Sequence, residues 1–503
     1  MGSRHVPART VLFEREKNGV TYRVPALIYI PRWATMLAFA EERLSADDAH
    51  ANLLVLRRGT FYRNYVEWED MKALETALMP GHRSMNPCPI YDDFTGQLFL
   101  FFIAVLGRTT ESYQIVTGRN LARLCYVTSL DQGRSWSNIT DLTLEVIGKS
   151  VKEWATFALG PGHGIQLKSG RLLIPAYTYH IECRNCFGIL CRTTPKAFAF
   201  RSDDHGRSWK LGELIPNLQT LECQMVSVDE EDGNNIVYCN ARSSLGFRVQ
   251  AVSSDEGVEF QQGQLVEKLA ETSGGCHGSV IGFPAPLSLH SRNYAHNFTQ
   301  ASSTKCQALE NQKPCKKHYH VQQHKKSTGN VLLSSSDNSV CDMTHQMRFQ
   351  NVIGTSNCKS WSLCCSKTPI YTYYKAVEHF QNPTWVLYSH PTSSHSRVNL
   401  GVYLSPYPRD SDSWVGPWVI YEGPSAYSDL TYLELSSGEF GQMDSPPTTV
   451  FACLYENGLK SPYEQISFSI FTLYEVIQSL PPNSTSFQEA ENQNKKKYNC
   501  KTS

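Results

Sequence analysis

The chain lacks a surplus of either charge. Its 503 residues include 47 Lys and Arg against 47 Asp and Glu, and charged residues make up only 19% of the total, below the roughly 25% of an average globular protein. A protein that binds DNA or RNA needs a basic surplus to neutralise phosphates, so no nucleic-acid partner is expected. Hydrophobic residues at 41% and aromatic residues at 11% exclude a disordered chain, which has too little apolar surface to fold.

Long hydrophobic runs are also absent. The longest covers residues 98–106, in GQLFLFFIAVLGR, and it is too short for a transmembrane helix, which needs about 20 apolar residues. This run predicts a buried strand instead. The first residues, MGSRHVPARTVLFERE, contain no apolar core of a secretory signal. We therefore expect an intracellular protein in which most of the sixteen cysteines are reduced thiols.

Signals for lipid attachment are incomplete. The start Met-Gly resembles a myristoylation site, but Val6 stands where Ser or Thr is required. The last four residues begin with Cys500 and have the outline of a prenylation box, although Lys501 and Thr502 are not aliphatic. The alternative is a solvated basic tail. Peripheral contact with the endomembranes of the endoplasmic reticulum, lysosome or mitochondria is expected, and the sequence does not specify the organelle.

Amphipathic stretches of helical period are missing from most of the chain. Short runs rich in Val, Ile, Leu, Tyr and Phe alternate with Gly, Asp, Asn and Ser clusters, a pattern typical of strands and turns. The pattern covers residues 1–284 and resumes over residues 383–480. Between them, residues 285–382 are rich in Ser, Lys, Gln, Asn and His, which predicts a long, disordered insert, and residues 481–503 form a polar basic tail.

A weak repeat is present within the β-rich part. The segments SLDQGRSW at 129–136, SDDHGRSW at 202–209 and SSDEGVEF at 253–260 share Ser-x-Asp-x-Gly followed by an aromatic residue. Asp can bond its own backbone and Gly can adopt a positive φ, so each copy predicts a hairpin turn. Asp131, Asp204 and Asp255 are therefore interpreted as turn formers on the rim of the fold, away from any catalytic site.

Repeated hairpins suggest the blades of a propeller. Without the insert and the chain ends roughly 370 residues remain, which six four-stranded blades would fill with about 15 residues per strand and connection. The sequence therefore predicts an all-β fold, a six-bladed β-propeller with a long insert.

These hairpins resemble the Asp boxes of sialidases, and YRVP at residues 22–25 resembles the Arg-Ile-Pro motif that precedes them in that family. The similarity continues through AFAEERLSADDAHANLLVLRRG, GHRSMNPCP, WATFALGPGHG, LECQ, YCNARS, LYSHPT and AYSDL. Among the vertebrate intracellular sialidases, RTVLFERE, ECRNCFGILCRT and WVIYEGPSAYSDL are most similar to the fourth type. The resemblance implies a six-bladed propeller that removes terminal α-linked sialic acid from gangliosides, glycoproteins and oligosaccharides without a cofactor.

Sialic acid carries a carboxylate on its anomeric carbon, and guanidinium groups bind a carboxylate in planar, charge-assisted pairs. The resemblance assigns this role to Arg23, Arg242 and Arg397. A carboxylate nucleophile would be repelled by the substrate's own charge, whereas a neutral tyrosine avoids the repulsion. The family motifs place this nucleophile at Tyr427 and its activating base at Glu222.

Protonation of the leaving group needs an acid. The chemistry of the loop LSADDAH does not distinguish Asp47 from Asp48, and the family's spacing from Arg43 selects Asp48. The same resemblance assigns the remaining roles in the pocket. Arg43 would contact the hydroxyl at C4, Met85 and Asn86 the N-acetyl side, and Glu111, Tyr177 and Tyr179 the glycerol arm, while Glu456 would orient Arg23.

Other interpretations remain open. His180, Cys183, Cys186 and Cys191 include a Cys-x-x-Cys pair that could suit zinc, but a second pair at metal spacing is missing, and no metal is expected. The alternative functions are a sialic-acid-binding propeller without catalysis, a scaffold that uses the insert to dock partners, and a transferase that would share the covalent intermediate.

Overall fold

The computed structural model describes residues 6–62, 65–186, 189–286, 382–435 and 448–480. The basic tail with Cys500, and all of the predicted insert except its two ends, lie outside the described residues. The described part is built almost entirely of strands. Within these ranges, twenty-five strands, β1 to β25, and two short α-helices, α1 and α2, follow in chain order.

The strands of the first half are β1 Arg9–Glu14, β2 Thr21–Ile30, β3 Thr35–Arg43, β4 Ala51–Tyr62, β5 Tyr65–Trp68, β6 Lys72–Ala73, β7 His82–Asp92, β8 Gln97–Leu106, β9 Ala122–Ser129, β10 Thr140–Asp141, β11 Trp154–Leu159, β12 Ile165–Gln166 and β13 Leu172–Cys186. Those of the second half are β14 Ile189–Ser202, β15 Lys210–Leu211, β16 Cys223–Asp229, β17 Asn235–Ala241, β18 Phe247–Ser253, β19 Gln264–Ala270, β20 Ser279–Pro284, β21 Thr384–Pro391, β22 Val398–Ser405, β23 Val415–Leu435, β24 Thr448–Asn457 and β25 Gln465–Thr472. The helices are α1 Glu111–Thr117 and α2 Leu473–Ser479.

Strands that follow one another along the chain pair antiparallel. Among the described residues they form sheets in the orders β2-β3-β4-β5, β7-β8-β9-β10, β11-β13-β14-β15 and β16-β17-β18-β19, with β6 beside β4 and β12 beside β13. A seven-stranded sheet has the order β1-β25-β24-β23-β22-β21-β20. Strand β23 pairs with β22 through its first half and with β24 through its second half. The arrangement is propeller-like, and β1 closes the last sheet with a strand from the other end of the chain.

Strand β8 shows how the sheets pack. Its residues are buried except at the two ends, which confirms the buried strand predicted from the apolar run. Leu98, Leu100 and Phe102 belong to the apolar cluster shared with β3. Phe99 and Phe101, which point to the opposite face, belong to the cluster shared with β13 and β14. A strand covered by other sheets on both faces is apolar at every position, so it has no alternating pattern.

The three repeats form turns, as predicted. In the first, Ser129 Oγ donates to Asp131 Oδ1 over 2.8 Å, and Asp131 also accepts the backbone N–H of Ser135 at 2.9 Å and its hydroxyl at 2.6 Å. The turns connect β9 to β10, β14 to β15 and β18 to β19, which is the same step in three sheets. Repetition of one turn at one topological position is typical of a blade repeat.

Among the described residues, no helix is long and apolar enough to cross a membrane. The free cysteines there are all buried; they are Cys88, Cys125, Cys191, Cys223, Cys239, Cys276 and Cys453. Cys183 is an exception to the expectation of reduced thiols, because it is disulfide-bonded. A disulfide-bonded cysteine has no thiolate to offer zinc, so Cys183 cannot be a ligand, and the described ranges contain no group of three side chains placed to hold a metal.

Candidate active site

A cavity of about 310 Å³ opens where loops and strand ends from every sheet meet. Every residue predicted from the family motifs lies on the wall of this cavity except Glu456. Glu456 lies behind the wall and accepts a hydrogen bond from Arg23. The predicted residues on the wall are Arg23, Arg43, Asp48, Met85, Asn86, Glu111, Tyr177, Tyr179, Glu222, Arg242, Arg397 and Tyr427. Residues up to 404 positions apart in the sequence are thus brought into one site.

Irregular strand pairing aims several of these side chains into the cavity. The register shifts between Arg23 and Ala26 in β2, between Met85 and Cys88 in β7, and between Ser425 and Ser428 in β23. β-Bulges of this kind redirect side chains next to active sites. Val24, beside Arg23, has a φ of +56°, which is costly for a β-branched residue and is typical of strain at functional sites.

Arg23 is held by a buried carboxylate. Its Nε donates to Glu456 Oε1 over 2.9 Å, and Glu456 has no exposed side-chain surface. The same carboxylate accepts the backbone N–H of Val24 at 2.9 Å and that of Tyr427 at 3.2 Å. Glu456 therefore joins one arginine to the strand that carries the tyrosine.

The other two arginines approach Tyr427 from different elements. Arg242 Nη1 donates to Glu222 Oε2 over 2.7 Å and lies 3.1 Å from Tyr427 OH. Arg397 lies with its Cζ 5.3 Å from the centre of the Tyr427 ring. Arg23, on the third side, lies 5.7 Å from the same ring centre. Three cations thus surround one phenol, a concentration of positive charge suited to a small anion.

The hydroxyl of Tyr427 donates a short hydrogen bond to Glu222 Oε1. Burial raises the pKa of Glu222, but the charge of Arg242 and hydrogen bonds from Tyr427 and Arg242 lower it by more, so the net shift is downward. Burial, followed by the charge of Glu222, raises the pKa of Tyr427 well above its usual value. The resting pair is therefore a neutral phenol beside an ionised carboxylate, which can accept the phenolic proton.

The structure distinguishes the two aspartates of the loop LSADDAH. Asp47 caps the turn Asp48–His50, because its Oδ1 accepts the backbone N–H of Ala49 at 2.8 Å. Asp48 instead lines the cavity, with its side chain 70% exposed, and forms an ion pair with Arg43. Arg23 Nη1 lies 3.7 Å from its Oδ1. Burial raises the pKa of Asp48, but Arg43 and Arg23 lower it more, so the free carboxylate is ionised.

Glu111, at the start of α1, accepts the hydroxyl of Tyr177 over 3.2 Å. Burial and then the negative charge of Glu222 raise its pKa to about 7. Tyr179 packs edge-on against Tyr177, with the ring centres 6.2 Å apart. This side of the cavity therefore combines a titratable carboxyl with two phenols.

Several residues that support or line the cavity were not among those predicted from the sequence. Glu41 is fully buried, accepts Arg43 Nε at 2.8 Å and accepts the backbone N–H of Asn86 at 2.7 Å. Its position in AFAEER, two residues before Arg43, was an available signal, since side chains two apart on a strand share a face. Tyr463 hydrogen-bonds Arg397 over 3.1 Å and stacks 3.9 Å from Arg23.

Tyr463 lies in an irregular loop, and no motif indicated it. Buried His277 was missed for the same reason; its ring centre is 5.5 Å from that of Tyr427. Burial lowers the pKa of His277 to about 3, so its imidazole is neutral.

The chain is similar in sequence to a family of repeat domains and to named sialidases. Residues 34–437 match a family described as a BNR repeat-like domain. The chain is 48% identical to Sialidase-4 of Mus musculus over 486 residues, covering 96% of each protein. It is 41% identical to Sialidase-3 of Homo sapiens over 477 residues, covering 94% of this chain and 95% of the relative.

Two solved structures share the fold at low identity. A Hadza microbial sialidase superposes with a TM-score of 0.58 at 16% identity, covering 93% of this chain and 69% of that one. The intramolecular trans-sialidase of Ruminococcus gnavus gives 0.56 at 13% identity, covering 95% and 99%. Because the identity to named sialidases extends over nearly the whole length of both chains, this chain belongs to the sialidase family and is a glycoside hydrolase that acts on sialic acid.

Proposed function

We propose that the protein is a retaining exo-α-sialidase in which Tyr427 is the nucleophile, Glu222 its base and Asp48 the acid. The observation that carries the proposal is the Tyr427–Glu222 hydrogen bond beneath three arginines. Terminal sialic acid on gangliosides, glycoproteins and oligosaccharides is the proposed substrate class. The wall groups around Glu111 and Asn86 would receive the glycerol and N-acetyl substituents.

Binding of the substrate carboxylate comes first in this mechanism. Arg23, Arg242 and Arg397 can donate charge-assisted hydrogen bonds to it from three sides. This arrangement would hold the anomeric carbon next to Tyr427, because the carboxylate and the glycosidic oxygen share that carbon. Positioning of the two reacting atoms is itself a large part of the rate enhancement.

Attack by the tyrosine follows. As the phenolic oxygen forms its bond to the anomeric carbon, its proton passes to Glu222 Oε1, and the bond to the leaving oxygen breaks. Arg242 lies 3.1 Å from the phenolic oxygen and can stabilise negative charge that develops there. Water then displaces the tyrosine from the anomeric carbon and gives one proton to the carboxylate of Asp48, which lost its own proton to the leaving oxygen in the first step, while the phenol recovers its proton from Glu222.

The leaving oxygen needs a proton, which Asp48 would supply. In the free enzyme the pKa of Asp48 is lowered by Arg43 and Arg23. A bound carboxylate would neutralise part of the charge of Arg23, so we infer that the pKa of Asp48 rises in the complex. Its side chain is 70% exposed although Oδ1 pairs with Arg43, so it can reach the aglycone side of the sugar once that ion pair loosens.

The architecture proposed is a six-bladed propeller formed by residues 1–284 and 383–480. Support comes from the two halves of β23, which pair with different neighbours. If each half of β23 is counted as a strand of its own, the seven-stranded sheet divides into two four-stranded blades. One blade consists of β20, β21, β22 and the first half of β23, and the other of the second half of β23 with β24, β25 and β1. We propose in addition that residues 285–382 are an insert within this propeller, and that contact with a membrane, where it occurs, is peripheral.

Tyr427→Phe tests the proposal. The purified variant should release sialic acid from a fluorogenic α-sialoside with kcat reduced by about 10³-fold or more, because the nucleophilic oxygen is gone. Thermal unfolding should be nearly unchanged. The matched control is Tyr407→Phe, which removes an exposed hydroxyl bonded to Glu231 over 3.0 Å and should keep full activity. A Tyr427→Phe variant that retains most of its activity would contradict the nucleophile assignment.

Wild-type assays separate the alternatives. Free sialic acid should appear between about pH 3.5 and pH 7, where a carboxylic acid–base pair operates. Binding without any turnover would favour the non-catalytic propeller or scaffold. Transfer of sialic acid to added lactose in preference to water would favour a transferase.

A further inference from the structure

A loop behind the arginines connects β19 to β20 and covers residues 271–278, here called the glycine loop. We propose that the glycine loop is the positioning element for Arg242 and Arg397, and that a buried ion pair between Glu271 and Arg248 holds it in place. The inference rests on the proposed function in that these arginines bind the substrate carboxylate. No motif of the sequence indicated this loop.

The ion pair is completely enclosed. Arg248 Nη1 donates to Glu271 Oε1 over 2.8 Å, and the side chains of the two residues are 0% and 1% exposed. A buried pair is stable only when its remaining donors and acceptors are also satisfied. Asn240 Oδ1 accepts Arg248 Nε at 2.7 Å, and His390 Nε2 lies 3.2 Å from Glu271 Oε2.

The remaining donors and acceptors of the pair bond to the backbone of the glycine loop. Glu271 Oε2 accepts the backbone N–H of Cys276 at 3.1 Å, and Arg248 Nη1 donates to the carbonyl of Cys276 over 2.8 Å. Glu271 Oε1 also accepts the backbone N–H of Ser243 at 3.2 Å. One carboxylate therefore fixes both the glycine loop and the residue that follows Arg242.

The loop in turn presents two carbonyl groups to the arginines. Arg242 Nη2 donates to the carbonyl of Gly274, and Arg397 Nη2 donates to the carbonyl of Gly275 over 2.9 Å. Two guanidinium groups, one just after β17 and one just before β22, are thereby held by neighbouring peptide units. Because carboxylate binding needs aligned planar forks, a small displacement of the loop would misalign both groups together.

Gly275 shows how closely the loop and the arginine approach. Its φ is +74°, and a Cβ built there would lie 2.5 Å from Arg242 Nε. Gly274 has nearly the same backbone, with a φ of +76°, but a Cβ there would meet nothing within 4 Å. The two glycines therefore differ in contact with Arg242 and not in backbone strain.

This difference supplies the experiment. Crystal structures of Gly275→Ala and Gly274→Ala would give the positions of the arginine side chains directly. We expect the guanidinium group of Arg242 to be displaced in Gly275→Ala and to keep its wild-type position in Gly274→Ala. Gly233→Ala, at a φ of +86° in a remote hairpin with open space around it, controls for the cost of alanine at positive φ and should keep wild-type kcat and KM.

Binding provides the functional readout. Free sialic acid should bind Gly275→Ala at least about tenfold more weakly than wild type, since a charge-assisted hydrogen bond is lost. Binding of its uncharged methyl ester should weaken little, because only the carboxylate forms charge-assisted bonds with the arginines. Glu271→Gln should show the same selective loss if it folds, and a KM increase for the sialoside should accompany it.

Two results would overturn the proposal. In one, Arg242 keeps its position in Gly275→Ala; in the other, acid and ester lose affinity equally. Failure of the proposed function gives a different result, namely no sialoside hydrolysis by wild type. In that case the displacement of Arg242 in the Gly275→Ala crystal structure still decides whether the loop positions it.

Discussion

At the scale of single residues, side chains of the same type differ in pKa or in direction because their surroundings in the cavity differ. Glu222 is kept ionised by Arg242, whereas burial and a neighbouring carboxylate raise the pKa of Glu111 to about 7. Asp47 bonds to its own turn, while Asp48, the next residue, lines the cavity. Such divergence within one cluster is what acid–base catalysis requires.

Asp48→Asn is expected to reveal the acid through its dependence on the leaving group. Hydrolysis of a sialylated oligosaccharide should slow by about 10²- to 10⁴-fold, because an alkoxide leaves poorly without a proton. An activated aryl sialoside should be affected much less. Asp47→Asn keeps the capping oxygen and should be nearly silent on both substrates, as measured by kcat/KM. Equal loss for both substrates in Asp48→Asn would argue against the acid role.

Glu111 is expected to limit activity at high pH. Its raised pKa means that the group is neutral in acid and becomes ionised as the pH rises through about 7. An additional negative charge in the cavity would repel the substrate carboxylate, so kcat/KM should fall over this range. Glu111→Gln, which imitates the neutral form, should shift the alkaline limb of the pH profile upward. An unchanged profile would exclude Glu111 as its origin.

At the scale of elements, the hairpin turns have a structural role. The first and third turns share most of their hydrogen bonds. In the first turn the hydroxyl of Ser135 also donates to Asp131. The equivalent residue of the third turn is Glu259, which donates to Asp255 only through its backbone N–H. The pKa of Asp131 is about 2: burial alone would raise it, and hydrogen bonds from Ser135 and Ser129 lower it. These bonds connect sequence-local groups, which is why the turns could be predicted from the repeat.

Asp131→Ala should reduce the free energy of unfolding by about 1–3 kcal/mol, the usual cost of leaving such donors without a partner. Asp255→Ala should cost less, since the hydroxyl bond is already missing there. Neither should change kcat/KM of the folded enzyme. Urea denaturation and a standard sialoside assay measure the two effects, and a selective loss of turnover would place the turn closer to the chemistry than the structure does.

At the scale of the whole molecule, the two ends of the predicted insert meet as neighbours in one sheet. Pro284 at the end of β20 pairs with Thr384 at the start of β21, and Ala285 N donates to the carbonyl of Pro383 over 2.9 Å. Antiparallel neighbours can be joined by a short turn. The propeller-like body therefore does not need a long connection at this point.

Replacement of residues 287–381 by a short Gly-rich turn should leave a folded enzyme. We expect kcat/KM for a soluble sialoside to stay within about twofold of wild type, because loop length has only a small effect on stability. Partners captured by wild type and not by the shortened chain would support a docking role for the insert. Loss of folding would mean that the insert belongs to the propeller, contrary to the proposed organisation.

The sequence by itself determined the β-rich character, the turns and the chemical inventory of the site, because these depend on local patterns and on motifs of a few residues. It also indicated Arg23, Glu222 and Tyr427, each within its own motif. Tertiary structure alone decided that Tyr463 contacts two arginines of the cavity and that Glu271 and Arg248 form a buried ion pair, since these contacts depend on partners distant in the sequence or on irregular loops. The structure also shows the directions of Asp47 and Asp48, which the chemistry of their loop left open, because the turn that carries a side chain and the charges it meets set its direction.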